Sequence, residues 1–307
     1  MGLVSGKEIL QKANKGGYAV GAFNFVNMEV LDAILSAAQD ENAPVIVAAS
    51  EGAIKYAGFE TIVALATTGA AARKIPIALH LDHGKDMKLI EKCIKGGFTS
   101  VMIDASHAPF NENVETTKKV VEMARPKGIS VEAELGRLTG VEDHVSVAER
   151  DAVLVNPAEA ESFAKQTGID SLAPAIGTSH GAFKFKGEAK LDIERLAKVK
   201  KATQLPLVLH GASSLPEEIV GLVAKFGGKL DGAHGVPDSE LQKTIAGGIN
   251  KVNVDTDLRL AFLGGLRRVL LEQKEEIDLR KVLGPAKEMV YKAVRSRIKV
   301  LGCSGKA

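Results

Sequence analysis

The sequence contains no tryptophan and only two cysteines, Cys93 and Cys303, among its 307 residues. Two cysteines so far apart cannot build a disulfide framework, and they lack the Cys-x-x-Cys spacing of a metal or redox motif. Thiols that stay reduced are typical of the cytoplasm, where disulfides are rare. We therefore expect a cytoplasmic protein with two reduced thiols.

An excess of charge of one sign is also missing. The chain has 40 basic and 38 acidic residues, mixed along its length, for a formal net charge of +2. Nucleic acids and membrane surfaces attract proteins with clustered basic residues, so we expect neither as a partner. The first residues, MGLVSGKEILQKANKGG, lack the apolar core of a signal peptide. No apolar run approaches the roughly 20 residues that cross a bilayer.

Short apolar runs rich in valine and isoleucine alternate with longer amphipathic segments. Eight of these runs predict strands, at residues 18–23, 44–50, 75–82, 100–105, 130–135, 171–177, 206–210 and 251–255. The helical patterns cover residues 28–42, 58–73, 87–96, 111–127, 157–167, 190–203, 215–226, 238–247 and 257–273, with flanking helices at 5–15 and 285–301. Strands that alternate with helices are typical of a parallel sheet in an α/β protein.

Eight βα units in a row predict a (β/α)8 TIM barrel with additional N- and C-terminal helices. An open doubly wound sheet would need a G-x-G-x-x-G motif after its first strand, and the GAFNFVN stretch at 21–27 does not match it. No linker rich in proline, glycine or serine divides the chain, so we expect one domain over residues 1–307. The irregular stretches 136–156 and 227–237 have the length of functional lids.

Polar and titratable side chains follow several of the predicted strands, where a barrel places its active site. Five of the seven histidines lie at or just past strand ends, namely His80, His83, His107, His180 and His210. Three of them, His83, His180 and His210, directly precede a glycine, and three histidines from different strands can form a Zn²⁺ site with one open position. The alternative is that they are hydrogen-bonded core or loop histidines.

Other strand ends carry carboxylates and small polar residues. Asp104 and Glu134 either hold a second metal position or belong to a polar layer of the barrel, and His80 is interpreted as a non-ligand. The HGASS turn at 210–214 and the NVDTD stretch at 253–257 follow the seventh and eighth strands. Barrels often bind phosphate there with backbone N–H groups and helix N-termini, so these stretches indicate a phosphorylated substrate.

Several long motifs resemble the class II, metal-dependent fructose-1,6-bisphosphate aldolases, and the resemblance covers essentially the whole chain. The stretches that carry it are GAFNFVN (21–27), SEGA (50–53), HLDHG (80–84), GFTSVMIDASH (97–107), VEAELG (131–136), GTSHG (177–181), LHGAS (209–213), NKVNVDTDLRLAF (250–262) and LRKVLGPA (279–286).

The resemblance implies roles for individual residues. His83, His180 and His210 match the zinc ligands, and Asp104 and Glu134 match an alternate or second metal position. Asp82 matches the acid/base at the C4 hydroxyl of the sugar. Glu142 matches the residue that moves the proton on the dihydroxyacetone phosphate carbon. The substrate positions are Asn24, Ser50, Gly181, Lys184, Gly211, Ala212, Ser213, Asn253, Val254, Asp255, Thr256 and Arg280, with Arg280 supplied from a neighbouring subunit. Carbonyl groups near Ser179, Gly181 and Gly211 match a monovalent cation site for Na⁺ or K⁺.

Alternative functions remain open at this point. A tagatose-1,6-bisphosphate aldolase differs only in the configuration at C4 of its sugar. A zinc barrel hydrolase usually has His-x-His at the end of its first strand, where this chain has GAFNF. A Schiff-base aldolase needs a lysine at a strand end, whereas Lys251 opens the eighth predicted strand. A non-catalytic scaffold has no need for these strand ends. We expect a homodimer or homotetramer, since closed symmetry is the usual outcome.

Overall fold

Eight parallel strands form a closed barrel at the centre of the molecule. The computed structural model describes residues 2–136, 139–142, 145–147, 154–180, 191–230 and 234–307, and of residues 139–142, 145–147 and 179–180 it describes the backbone. The barrel strands are β1 (Val20–Asn24), β2 (Val45–Ser50), β3 (Ile77–Gly84), β4 (Ser100–Ile103), β5 (Ser130–Leu135), β8 (Ser171–Pro174), β10 (Leu207–Leu209) and β11 (Ile249–Val254). They neighbour one another in chain order, and β1 pairs with both β2 and β11, which closes the barrel. The predicted (β/α)8 barrel is confirmed.

Twelve α-helices are present in the described part of the chain. They are α1 (Gly6–Gly16), α2 (Met28–Asp40), α3 (Glu51–Ala57), α4 (Phe59–Ala71), α5 (Met87–Lys95), α6 (Phe110–Ala124), α7 (Pro157–Thr167), α8 (Ile193–Thr203), α9 (Glu217–Lys225), α10 (Asp238–Ala246), α11 (Thr256–Glu272) and α12 (Leu279–Leu301). Asn27 caps α2 by accepting from the N–H of Val30, and Asn156 caps α7 in the same way from Ala158. Asparagine is favoured at this position because its side chain replaces a missing helix partner.

Two helices differ from the prediction. The sequence predicted that the last helix begins at Pro285, but α12 begins at Leu279 and has Pro285 inside it. The helix continues past this proline, and α11 approaches it closely: a Cβ on Gly265 would lie 2.8 Å from the carbonyl oxygen of Pro285. The short helix α3 was not predicted; it follows β2 without a loop because Ser50 ends the strand and caps the helix.

A small sheet lies where the sequence predicted irregular structure. Within 136–156, β6 (Thr139–Glu142) pairs with β7 (Val145–Val147), and β6 also pairs with β9 (Ser179–His180). The prediction of an irregular stretch is therefore wrong for these residues. A role as a lid stays a prediction, for this stretch and for 227–237.

The amino-terminal helix closes the end of the barrel opposite the strand ends that carry the polar residues. The backbone N–H groups of Val4 and Gly6 donate to the carbonyl oxygens of Ile77 and Thr99, at the starts of β3 and β4. A Cβ on Gly6 would lie 2.7 Å from the hydroxyl of Ser130, so the helix approaches the strands closely. In the described residues, no helix is both long and apolar enough to cross a membrane.

Burial of the helix layer makes a testable contribution to stability. Ile34 on α2 is 0% exposed, whereas Ile277 before α12 is 91% exposed. We expect Ile34→Ala to lower the free energy of unfolding by about 2–5 kcal/mol, because it removes buried methyl groups and leaves a cavity. Ile277→Ala should change it by less than about 0.5 kcal/mol. Urea denaturation of both variants measures the difference; equal losses would contradict this packing.

Candidate active site

Strands β3 and β10 bring the first group of predicted site residues together. The rings of His83 and His210 lie 4.5 Å apart between centroids, at an interplanar angle of 63°. One ligand atom each from Asp82, His83 and His210 falls within 4.8 Å of the other two. These residues lie at the carboxyl ends of strands β3 and β10, where a barrel of this kind presents its reactive groups.

A second group shares His83 with the first. Ligand atoms of His83, Asp104 and Glu134 also lie within 4.8 Å of one another. Nδ1 of His83 is 3.3 Å from a carboxylate oxygen of Asp104, and Asp104 accepts from the hydroxyl of Ser106 at 2.8 Å. The other carboxylate, Glu134, is 3% exposed, and its Oε2 has no hydrogen-bond partner among the described residues. A buried oxygen of this kind is suited to a cation.

The charges around His83 also favour a cation at this place. Burial alone would lower the pKa of His83, but the negative charges of Asp82, Asp104 and Glu134 raise it to about 10. Burial raises the pKa of Glu134 well above its usual value, and the negative charge of Asp104 adds to this. Buried carboxylates held close together need a positive charge between them. The donor set of imidazoles and carboxylates therefore fits a divalent metal ion.

His83 has an unusual backbone conformation with a φ of 48°, in the left-handed region. A non-glycine residue there carries strain of about 1–3 kcal/mol, which is common where function requires it. The next residue, Gly84, has no room for a side chain, because a Cβ would lie 2.5 Å from the carbonyl oxygen of Met102. Gly211 after His210 instead has a φ of 61°. The two His-Gly pairs thus need glycine for different reasons.

Two asparagines orient the carboxylate of Asp82. Asn24 on β1 donates to its Oδ2 at 2.9 Å, and Asn253 on β11 donates to its Oδ1 at 2.8 Å. Burial alone would raise the pKa of Asp82, but the positive charges of His83 and Lys251 outweigh it and hold the pKa below its usual value. Asp82 is therefore an ionised, oriented acceptor of protons next to the histidines.

His210 is oriented by a carboxylate to which the sequence analysis gave no role. Its Nε2 lies 2.8 Å from Glu132, while the amide of Asn253 lies 3.2 Å from Nδ1. An amide N–H donates, so Nδ1 is the acceptor and Nε2 carries the proton. Burial, followed by the charge of His83, lowers the pKa of His210. The ring is thus a neutral imidazole whose Nδ1 lone pair faces the amide of Asn253.

The chain of hydrogen bonds continues below Glu132 into the barrel. The ammonium of Lys251 donates to Glu132 at 2.8 Å and to Nε2 of His80 at 3.2 Å. Nδ1 of His80 then donates to Ser100 at 2.7 Å, and burial followed by Lys251 lowers the pKa of His80 to about 3. The interpretation of His80 as a non-ligand agrees with these contacts. Lys251 lies inside the barrel, where its ammonium pairs with a carboxylate.

The predicted phosphate loops follow β10 and β11. Ala212 and Ser213 are buried after Gly211. On the other loop, Val254 ends β11, and Thr256 is the first residue of α11. Asp255 precedes that helix and forms an ion pair with Arg259, with an N–O distance of 2.6 Å. The N-terminus of α11 thus directly follows these residues, and phosphate binding there stays a prediction.

A cavity of about 690 Å³ opens beside the site. It is lined by three of the predicted substrate residues, Asn24, Ser50 and Asp255, and by apolar side chains that include Tyr56 and Phe262. A cavity of this size accommodates a small organic ligand. The hydroxyl of Ser50 also accepts from the N–H of Ala53 at 3.2 Å, so it caps a helix in addition to lining the cavity.

Some of the predicted residues are not brought into this group. Arg280 at the start of α12 is exposed, and its guanidinium pairs with Asp278, 2.7 Å away. Gly181 and Lys184 lie outside the described residues, as do the side chains of Glu142 and His180. The backbone of His180 lies in β9 and pairs with Gly140 of β6.

Comparisons with known proteins agree with this geometry. A family profile described as Fructose-bisphosphate aldolase class-II matches residues 4–306. A fructose-bisphosphate aldolase of Helicobacter pylori is 57% identical over 305 residues, which cover 99% of both chains. One from Thermus caldophilus is 50% identical, over 99% of this chain and 100% of the relative. The crystal structure of the YdjI aldolase from Escherichia coli K12 superposes with a TM-score of 0.82 at 30% identity, covering 99% of both chains. The chain therefore belongs to the class II fructose-bisphosphate aldolase family, whose members are zinc-dependent lyases.

Proposed function

We propose that this chain catalyses the reversible cleavage of fructose 1,6-bisphosphate into dihydroxyacetone phosphate and glyceraldehyde 3-phosphate, with Zn²⁺ held by His83, His180 and His210. The observation that carries the proposal is the approach of ligand atoms of Asp82, His83 and His210 to within 4.8 Å of one another. This proximity supports a role for Asp82 as a proton acceptor beside two of the proposed metal ligands. Asp104 and Glu134 supply an alternate or second metal position.

The difficult part of the reaction is the negative charge that develops on the dihydroxyacetone phosphate fragment when the C3–C4 bond breaks. A zinc ion bound here supplies Lewis-acid stabilisation of that charge. Histidines are suited to this role because neutral ligands do not reduce the ion's positive charge. The neutral state of His210, with its proton on Nε2, is consistent with such a role.

Asp82 is the proposed acid/base at the C4 hydroxyl. It accepts the hydroxyl proton during cleavage and returns it during condensation. The amides of Asn24 and Asn253 fix the direction of its two oxygens, and its lowered pKa keeps it ionised and able to accept. Glu142 is the proposed residue that moves the proton on the dihydroxyacetone phosphate carbon, on the basis of the family resemblance.

The remaining assignments concern the substrate and the assembly. The proposed substrate-binding residues are Asn24, Ser50, Gly181, Lys184, Gly211, Ala212, Ser213, Asn253, Val254, Asp255, Thr256 and Arg280. A monovalent cation, Na⁺ or K⁺, is proposed at carbonyl groups near the substrate phosphate. We further propose a single domain over the whole chain, a homodimer or homotetramer, and a cytoplasmic location. The names of the relatives support fructose over tagatose bisphosphate.

The direct test is a cleavage assay with both sugars. We expect activity with fructose 1,6-bisphosphate to exceed that with tagatose 1,6-bisphosphate, to disappear after chelation and to return with Zn²⁺, because the charge on the cleaved fragment needs a Lewis acid. Preference for tagatose 1,6-bisphosphate would change the proposed substrate and leave the proposed metal mechanism unchanged. Cleavage that survives complete metal removal would contradict the metal mechanism.

The role of Asp82 is tested by replacement. Asp82→Ala should reduce turnover by at least about 100-fold while zinc stays bound, since general acid–base catalysis contributes on that scale. Zinc content, measured by atomic absorption, distinguishes a loss of acid/base catalysis from a loss of metal binding. The matched control is Asp86→Ala, which removes the helix cap at Lys88 rather than a site carboxylate. Loss of zinc from Asp82→Ala would instead identify Asp82 as a ligand.

The contact between Glu132 and His210 predicts an effect on metal affinity. Glu132→Gln should weaken zinc binding about 10–100-fold, because carboxylates that orient a ligating histidine contribute on that scale. Competition with a fluorescent chelator measures the dissociation constant, with exposed Glu8→Gln as control. The single variant leaves the Lys251 ammonium without its carboxylate, so a double variant with Lys251→Met should recover stability but not affinity. Unchanged affinity in both would refute the role.

A further inference from the structure

The turn after β10 is held from outside the site by two helices and by the segment before a third helix. This turn, residues Ser213–Leu215, begins at Ser213, the last of the proposed phosphate-binding residues on this loop. It connects to the barrel through β10 but has no regular structure of its own. The conformation of this turn therefore depends on its contacts with the elements that pack against it.

The first of these contacts comes from the start of α11. The carboxylate of Asp257 accepts from the backbone N–H of Leu215 at 2.8 Å and from that of Ser214 at 3.2 Å. Asp257 is 1% exposed, so these are buried, charge-assisted hydrogen bonds. Leu215 has a φ of 50°, in the left-handed region, so the turn is strained and needs external support.

The second contact comes from α12, far away in the sequence. The guanidinium of Arg297 donates to the hydroxyl of Ser214 and forms a two-point contact with the carboxylate of Asp238 at the start of α10. Arg297 is 4% exposed. A charged side chain is rarely buried without a specific partner; here one partner is Ser214 of the turn itself and the other is Asp238, which pairs with the guanidinium.

The third contact closes the turn from the segment before α10. The carbonyl oxygen of Ser213 accepts from the backbone N–H of Val236 at 3.0 Å. A Cβ on Gly235 would lie 2.3 Å from the carbonyl carbon of Ser214, so the two segments are in close contact. The peptide between Ser213 and Ser214 is thus fixed at its carbonyl by Val236 and at its N–H by Asp257.

We propose that Arg297 is a positioning residue for the substrate phosphate, acting through Ser214 on the Ser213–Leu215 turn. The inference rests on the proposed function, since it assumes that Gly211, Ala212 and Ser213 bind the phosphate. Hydrogen bonds to a phosphate require donor–acceptor distances near 2.8 Å, so a small shift of the turn weakens binding. Arg297 donates to Ser214 and Asp238, and its hydrogen bonds among the described residues do not include Asp82, His83 or His210, so we expect its loss to leave these three side chains in place.

The test separates phosphate binding from chemistry. Arg297→Gln should raise KM for fructose 1,6-bisphosphate about tenfold with kcat within about twofold, because one or two charge-assisted hydrogen bonds to the turn are lost. The dissociation constant for dihydroxyacetone phosphate, measured by calorimetry on the zinc-loaded protein, should rise equally, and zinc affinity should not change. Ser214→Ala, which leaves the Arg297–Asp238 ion pair intact, should shift KM in the same direction by less.

The matched control lies on the same helix. Arg295→Gln removes an ion pair with buried Glu41, which directly follows α2, away from the turn. A general loosening of α12 would raise KM in both arginine variants and would overturn the proposal, as would an unchanged KM in Arg297→Gln and Ser214→Ala. Ser213→Ala tests the assumed phosphate site. If it leaves KM unchanged while Arg297→Gln raises it, the Ser213 hydroxyl is not a phosphate ligand and Arg297 acts through the backbone N–H groups of the turn. If Ser213→Ala raises KM while Arg297→Gln does not, the phosphate assignment stands and the positioning role of Arg297 fails.

Discussion

Buried negative charge at the carboxyl end of the barrel is the constraint on which the site depends. Asp82, Asp104 and Glu134 surround His83, and together they raise its pKa to about 10. Carboxylates at this density cannot all remain ionised in a buried site unless a positive charge lies between them. A divalent cation meets that requirement, and the family to which the chain belongs uses one.

The barrel beneath the site extends this electrostatic arrangement. Glu132 links His210 to the ammonium of Lys251, and Lys251 contacts His80 in turn. A buried ion pair contributes little net stability, and removing one partner costs several kcal/mol. Apolar side chains could fill this part of the barrel instead, so the presence of the Glu132–Lys251 ion pair points to a role in orienting His210. The network connects the direction of a proposed metal ligand to the interior of the fold.

Support also reaches the site from the outer helices. Arg297 and Asp257 hold the Ser213–Leu215 turn from α12 and α11, and α11 packs closely on α12 through Gly265. The carboxyl-terminal helix thereby contacts a loop that the sequence places 83 residues earlier. Hydrogen bonds between neighbouring strands fix the strands of a barrel, but they do not fix the loops that follow them. Such a loop needs contacts with the outer helices to have a single conformation.

The barrel could be predicted from local sequence, because eight apolar runs separated by amphipathic segments leave few other ways to bury them. The positions of Asp82, His83, His210 and Asn253 at strand ends could be predicted too, because side-chain position along a strand is a local property. Which distant side chains meet depends on packing between elements, and local sequence does not contain it. The role of Glu132 appears when β5 and β10 bring it to His210, and that of Arg297 when α12 packs against the turn. The start of α12 also depended on packing. Local helix propensity predicted that the helix would begin at Pro285, but it begins earlier and continues through this proline, where α11 packs against it.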